Sequence, residues 1–378
     1  MFQIFTLFFC CLVAHGFSDL PAEDFSCNLS QKLLSNNEIK KNLFFSPYGV
    51  KISLQMALEG AAGKTFDEMH ACLGESMPIF FSEGIDSFQA VALARDYSVR
   101  PSYQDELQKS FHASILFVDF LKKKDEACAI INNWLVTATD GRMNQLLSPQ
   151  DIDSHTKLLL CNAVSFKQPW AQPFNRGKTK KAPFTTDEDR EVSVEMMNKE
   201  DYFLYAEDSE ASYLELDFEA SENGPKYGCI IVLPKDQKAL EELESGFNLK
   251  MFTDWRSSLQ SEYVNFFLPK VTLDWKLDLK NELKKLGIEE AFSPRKADFS
   301  RLTEKNDLFI GNVIHVARLK LDEKGLAADA ATAVSFMMKA VRRPEYTITM
   351  RCDHPFLLFV FEKKSQDILF VGRISRPS

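Results

Sequence analysis

The sequence predicts a mixed α+β fold from three observations: helical periodicity fills the first half, long strand-like runs apolar on both faces fill the second, and no linker separates them. The helices come first. Ser46-Pro47 places a capping hydroxyl before a proline at the first helical position, and that helix runs through Ile52, Met56 and Leu58 to a stop at Gly60. Thr65-Phe66-Asp67-Glu68 reads as a capping box for the next helix. The clearest helix spans 124–140, where Ala127, Ile130, Ile131, Trp134, Leu135 and Ala138 recur at three- and four-residue steps, and Gly141 ends it.

Segments 158–166, 227–233, 263–268, 310–321, 356–361 and 368–374 are rich in β-branched and aromatic residues. Several are apolar throughout, as strands covered on both faces must be. Their interleaving with helices lacks the regular alternation of a doubly wound fold, so at least two large sheets are expected. With no internal repeat, low-complexity tract or Pro/Gly/Ser-rich stretch, residues 17–378 are read as one domain.

Of 378 residues, 45% are hydrophobic, 26% are charged and 32 are Phe, so the chain buries a large core and is not disordered. A net charge of -9 argues against a nucleic-acid partner, which asks for a basic face. The short basic clusters Lys122 to Lys124 and Lys178, Lys180, Lys181 read as solvated surface. Residues 1–16 form an apolar run closing on Ala14-His15-Gly16, which reads as a signal peptide without a leading Lys or Arg, and secretion follows as an expectation. No later run approaches the length of a membrane span. Outside the leader, Cys27, Cys72, Cys128, Cys161, Cys229 and Cys352 are too widely spaced for a zinc or redox motif and are expected to be mostly free and buried. Asn28-Leu29-Ser30 is a glycosylation sequon, with Asn28 as acceptor.

Catalytic motifs are missing. Gly60-Ala61-Ala62-Gly63-Lys64-Thr65 resembles a phosphate loop, but Leu58 stands where a glycine is needed and a helix precedes it. No zinc-protease motif, nucleophile elbow or dinucleotide fingerprint occurs, and His70, His112, His155, His315 and His354 stand apart from ligand-spaced partners. No enzyme activity, metal or cofactor is expected.

Function concentrates in 322–346. A run of small residues from Gly325 to Val334 follows a long apolar strand and leads to Lys339, Arg342, Arg343 and Pro344, which read as exposed and protease-sensitive. At a period of two, Leu326, Ala328, Ala330, Thr332, Val334, Phe336 and Met338 share one uncharged side, whereas Asp329 and Lys339 fall on the other. The segment is exposed, yet patterned as a strand.

Glu323, Gly325, the small-residue run and Thr332 resemble the hinge of the serpins, the serine protease inhibitors. The likeness covers nearly the whole chain through Asn42-Leu43-Phe44-Phe45-Ser46-Pro47, Asn133-Trp134, Thr139-Asp140-Gly141-Arg142, Asn162-Ala163-Val164-Ser165-Phe166-Lys167, Leu268-Pro269-Lys270, Ala297-Asp298-Phe299-Ser300 and His354-Pro355-Phe356. It implies a serpin fold of about nine helices around three sheets with an exposed reactive-centre loop at about 323–347. It also implies a monomer that traps a serine protease as a covalent acyl-enzyme. By this resemblance the hinge is Glu323, Gly325, Leu326, Ala328, Ala330 and Thr332. The region where the central sheet parts is Ser46, Ser53, Asn162 and His315, closed by an Asn162–His315 hydrogen bond, and Trp170 stands at its top. Spacing from Glu323 puts the reactive bond at Lys339-Ala340, which implies a trypsin-like target; Arg342-Arg343 is the rival.

Loop insertion is expected to bury Leu326, Val334, Phe336 and Met338 for about 6–12 kcal/mol, so the uncut form is held by a kinetic barrier. Two residues depart from the family pattern. Leu326 stands where Thr or Ser is usual, with overpacking expected to slow its entry, and Asp329 interrupts the small-residue run on the outward side. The alternative that keeps the fold is a non-inhibitory carrier, chaperone or storage protein; a hydrolase is the third reading, without a motif.

Overall fold

A computed structural model describes residues 24–377 except 37, 38, 40, 75–83, 154, 223 and 327–345. Among these residues there are eight α-helices: α1 (Phe25–Leu34), α2 (Pro47–Gly60), α3 (Gly63–Leu73), α4 (Pro101–Ser110), α5 (Lys124–Ala138), α6 (Gln237–Gly246), α7 (Leu249–Ser258) and α8 (Lys280–Lys285). The first eight strands are β1 (Leu43–Phe45), β2 (Ile85–Ala94), β3 (Ser114–Val118), β4 (Leu158–Phe166), β5 (Gln168–Pro169), β6 (Lys180–Thr185), β7 (Glu191–Glu207) and β8 (Ala211–Asp217). The rest are β9 (Tyr227–Pro234), β10 (Gln260–Pro269), β11 (Val271–Asp278), β12 (Ile310–Leu321), β13 (Gly325–Leu326), β14 (Ile348–Arg351), β15 (Phe356–Glu362) and β16 (Ile368–Ile374).

Seven strands form one sheet in the order β3-β2-β4-β12-β13-β5, with β11 on the free side of β12; nine form the other, β1-β16-β15-β9-β8-β7-β10-β14, with β6 on β7. Among the described residues, hydrogen bonding joins two of the three sheets that the resemblance implies into one nine-stranded sheet. The cause is β7, 17 residues long, which pairs with β6 and β10 along most of its length and with β8 at its end, carrying one sheet into the next.

Strands β4 and β12 are predominantly apolar because both faces are covered. One face joins the main core with Leu160, Val164, Val313 and Ala317, over α2 and the nine-stranded sheet. The other packs Leu159, Cys161, Ile314 and Val316 against Ile131 and Leu135 of α5. Helix α2 opens as its sequence predicts, with Ser46 Oγ accepting from Gly49 N at 3.0 Å and Pro47 at the first position. The capping box at Thr65 is not formed. Helix α3 starts two residues earlier; Thr65 is fully buried inside it and accepts from Asp298 N at 3.0 Å, while Glu68 accepts from the backbone N–H groups of Glu289 and Glu290. The six cysteines among the described residues are free, five of them buried, and burial pushes the half-buried Cys72 thiol up to about 11.

Candidate functional site

The seam between β4 and β12 is the centre of the larger structure around the site. The two strands run parallel and pair directly from Leu158–Ile310 to Ser165–Arg318. Above Ser165 the seam forks. Leu321 pairs with Leu326, and Leu326 and Gly325 pair on their other side with Gln168 and Pro169, so β13 sits as a wedge between β12 and β5.

The wedge is pinned on every side. Trp170 N donates to Lys324 O at 2.8 Å, Trp170 Nε1 to Asp322 O at 3.1 Å and Phe174 N to Glu323 O at 2.8 Å. Trp170 itself is buried and stacks on Phe218 with ring centres 4.6 Å apart. Gly325 is required here: a Cβ would stand 2.3 Å from Gln168 O and 2.6 Å from Pro169 Cα, which is backbone that cannot yield. Glu323 is buried, accepts from Thr179 Oγ1 at 2.9 Å and pairs with Lys270 Nζ at 3.5 Å. Burial draws its pKa up, but the backbone, Thr179 and Lys270 outweigh it and hold the carboxyl below its ordinary value.

Leu326 is only 1% exposed and belongs to the main core, on the same side as Leu319 and Leu321. This overturns the expectation that its bulk slows entry: in the uncut chain it is already seated. It also removes Leu326 from the burial still to be gained by cutting.

Halfway down the seam, Asn162 and His315 are direct cross-strand neighbours and both fully buried. His315 Nδ1 donates to Asn162 Oδ1, and its Nε2 accepts from Ser46 N at 3.0 Å, which fixes the neutral ring in one tautomer. Ser46 Oγ donates onward to Leu369 O of β16 at 2.7 Å, so the seam is tied to the nine-stranded sheet beneath. Ser53 lies apart from this trio and donates to Gln89 Oε1 of β2 at 2.7 Å, while Gln89 Nε2 donates to Ser87 Oγ. Gly49 makes the approach possible, since a Cβ there would stand 2.5 Å from Val164 Cγ2 and 2.9 Å from Asn162 Oδ1. Gly49, Gln89 and Thr179 were not singled out from the sequence; each is defined by a neighbour distant along the chain.

Burial pushes the His315 pKa down from 6.5 to about 3. Between those values the unfolded chain binds a proton that the folded chain refuses, so stability is whole above pH 6.5 and declines as the pH falls through the window. Urea midpoints measured from pH 7 to pH 4 are expected to fall accordingly. His315→Gln keeps a donor and an acceptor but cannot titrate, and its slope is expected to be shallower by one proton; an unchanged slope would show that His315 does not set it.

Ala328, Ala330, Thr332, Lys339, Ala340, Arg342 and Arg343 lie outside the described residues, as do residues 1–16, which the sequence reads as a signal peptide. Asn28 is half-buried within α1, and Ser30 of the same sequon is fully buried and donates to Ser26 O. Among the described residues no group of three or more His, Cys, Asp or Glu is placed to hold a metal.

A sheet with a wedge at the head of a parallel seam meets its likeness in known proteins. The family profile described as Serpin (serine protease inhibitor) matches residues 21–377. The chain belongs to the serpins. Leukocyte elastase inhibitor of Xenopus laevis is 31% identical to this serpin over 93% of the chain and 97% of that relative. Neuroserpin of Mus musculus is 28% identical over 96% and 92%. Among solved structures, Serpin48 of the insect Tenebrio molitor superposes on this serpin with a TM-score of 0.80 at 27% identity, covering 94% of the chain and 96% of its own. Human thyroxine-binding globulin in complex with thyroxine gives 0.81 at 26% identity, covering 94% and 97%. The serpin fold is thus established, and protease inhibition is the activity that describes the family.

Proposed function

We propose that this serpin is a secreted suicide inhibitor of trypsin-like serine proteases, not itself an enzyme, with Lys339-Ala340 as its reactive bond and Arg342-Arg343 as the rival. The protease serine attacks the carbonyl of Lys339, the bond to Ala340 breaks, and an acyl ester joins protease to loop. The freed loop then enters the seam as a new strand, a recognised form of strand addition in serpins, and carries the enzyme with it. Deacylation fails once the displaced enzyme loses its oxyanion donors.

The observation that supports this reading most is the seated Leu326. The head of the seam already holds the first inserted residue, and below it β4 and β12 meet side by side with apolar faces both above and below. Entry therefore extends a strand that exists rather than nucleating one. The apolar leader supports secretion, and burial of five of the six thiols shields them from an oxidising compartment.

Incubation of the purified chain with trypsin is expected to give an SDS-stable adduct and a released peptide beginning at Ala340. A peptide beginning at Arg343 would move the reactive bond to the rival position. Complete cleavage without any adduct would leave the fold and remove the inhibitory reading.

A further inference from the structure

We propose that a cation-lined groove beside the root of the loop docks an acidic surface segment of the protease that the loop engages; this rests on the inhibitory reading above. The groove has a volume of about 440 Å³ and presents Lys178, Lys180, Lys181 and Arg351 over a floor that includes Met196 and Phe267. Among the described residues no carboxylate lines it. The chain as a whole carries a net charge of -9, so four cations on one groove run against its composition.

The four come from three elements. Lys178 ends a short 3-10 turn (Arg176–Lys178), Lys180 and Lys181 open β6, and Arg351 closes β14. Among the described residues none of them forms an ion pair. The other basic cluster behaves differently: Lys123 pairs with Glu126 at 2.7 Å, and Lys124 donates to Ile152 O. Glu195 stands opposite Lys181 across the β6–β7 ladder but is engaged by Lys270 at 3.3 Å, and Glu323 is engaged by Thr179 and the same Lys270. The Arg351 guanidinium lies 3.6 Å from the centre of the Phe267 ring, and that stacking leaves its N–H edge available to an anion.

Protection of a sheet edge explains part of this pattern. Among the described residues strand β6 pairs only with β7, and Lys180, Lys181 and Pro183 suffice to blunt its other edge against another chain. Edge protection does not account for Lys178 and Arg351, which lie off that edge and converge on the same groove.

Position selects the occupant. Arg351 belongs to β14, the first strand after the loop, and Thr179, between the groove lysines, donates to Glu323 at the other root. On the inhibitory reading, an enzyme engaged by the loop docks beside these two roots and so near the groove. An acidic polypeptide also gains contact with the half-buried Phe267 ring, which a sulfated polysaccharide has little apolar surface to use.

The test is binding of a fluorescein-labelled dodecaglutamate, with heparin in a parallel arm, to the full chain and to its K178A/K180A/R351A variant at ~50 mM and ~500 mM salt, where screening differs several-fold. Expected is binding at low salt that weakens about tenfold or more in the variant and fades at high salt, with the melting temperature unchanged. Equal dodecaglutamate binding by both proteins, or binding of heparin alone, overturns the proposal. Dodecaglutamate binding does not use the reactive bond, so a missing trypsin adduct sinks the inhibitory reading and leaves this result legible.

Discussion

A single cut in the loop near 339–340 is expected to raise the melting temperature of this serpin by roughly 5–12 °C or more. With Leu326 already seated in the uncut chain, the large side chains left to bury on the inward side are Val334, Phe336 and Met338. At about 1.5–3 kcal/mol each they contribute about 4–9 kcal/mol. Unfolding entropy near 2.1 cal/mol/K per residue makes a chain of this length resist heating by about 0.8 kcal/mol per degree, which converts that burial to the stated shift. Ordering the loop backbone costs entropy, and hydrogen bonds gained to both β4 and β12 offset it. Calorimetric scans of intact and nicked protein measure the shift directly. A nicked sample that melts with the intact one means that the loop stays out. The seated Leu326 supplies a second check, because Leu326→Ala is expected to lower the melting temperature of both forms, whereas a residue that enters only after cutting weakens the nicked form alone.

The strands that hold the seam were the most legible part of the fold. Segments 158–166, 310–321 and 368–374 match β4, β12 and β16 residue for residue, since strands covered on two faces carry long, mostly apolar runs. Strand β7 was not recognised. It alternates exposed and buried residues over a largely polar sequence, and its state is decided by partners such as β10, some sixty residues on. For the same reason the merging of two sheets could not be read from composition. Thr65 misled through a local pattern: Thr-x-x-Glu favours a helix start, yet the helix begins at Gly63 because Thr65 and Glu68 find stronger partners at Asp298 and in the 289–290 backbone.

In the site, the hinge announced itself through a strand-like period in a segment of small residues, whereas Ser46, Asn162 and His315 were reached only through resemblance. Nothing local marks Asn162 or His315, because each sits in a run of apolar neighbours and gains its meaning from the other across the β4–β12 register. Gly49 is further from view. Its lack of a Cβ matters because Val164 approaches within a distance that no side chain would allow. The Leu326 correction has the same origin: parity placed it inward, but only the pairing of Leu326 with both Leu321 and Gln168 shows that it enters before the cut.

Ala330→Glu is expected to convert this serpin from inhibitor to substrate, while Asp329→Ala changes little. Leu326 fixes the phase, since its side chain is in the main core, and counting on by twos puts Ala328, Ala330 and Thr332 on that inward side once the loop is a strand. A carboxylate at 330 must then enter the core or stop the strand after two more pairs. Burying an unpaired charge costs several kcal/mol, comparable to the whole gain from Val334, Phe336 and Met338. Insertion stalls, the acyl ester hydrolyses before the enzyme is displaced, and the protease leaves active with a cut loop behind it. By the same count Asp329 falls on the opposite side from Ala330, and removing its carboxylate is expected to leave insertion as it was. Gel analysis of trypsin reactions separates the outcomes, with adduct reduced about tenfold or more and cleaved chain dominant for Ala330→Glu, and adduct within about twofold of the parent for Asp329→Ala. Equal loss in both variants would show that the loop does not enter in this phase, and the reading of 326–338 as a strand in waiting would fall with it.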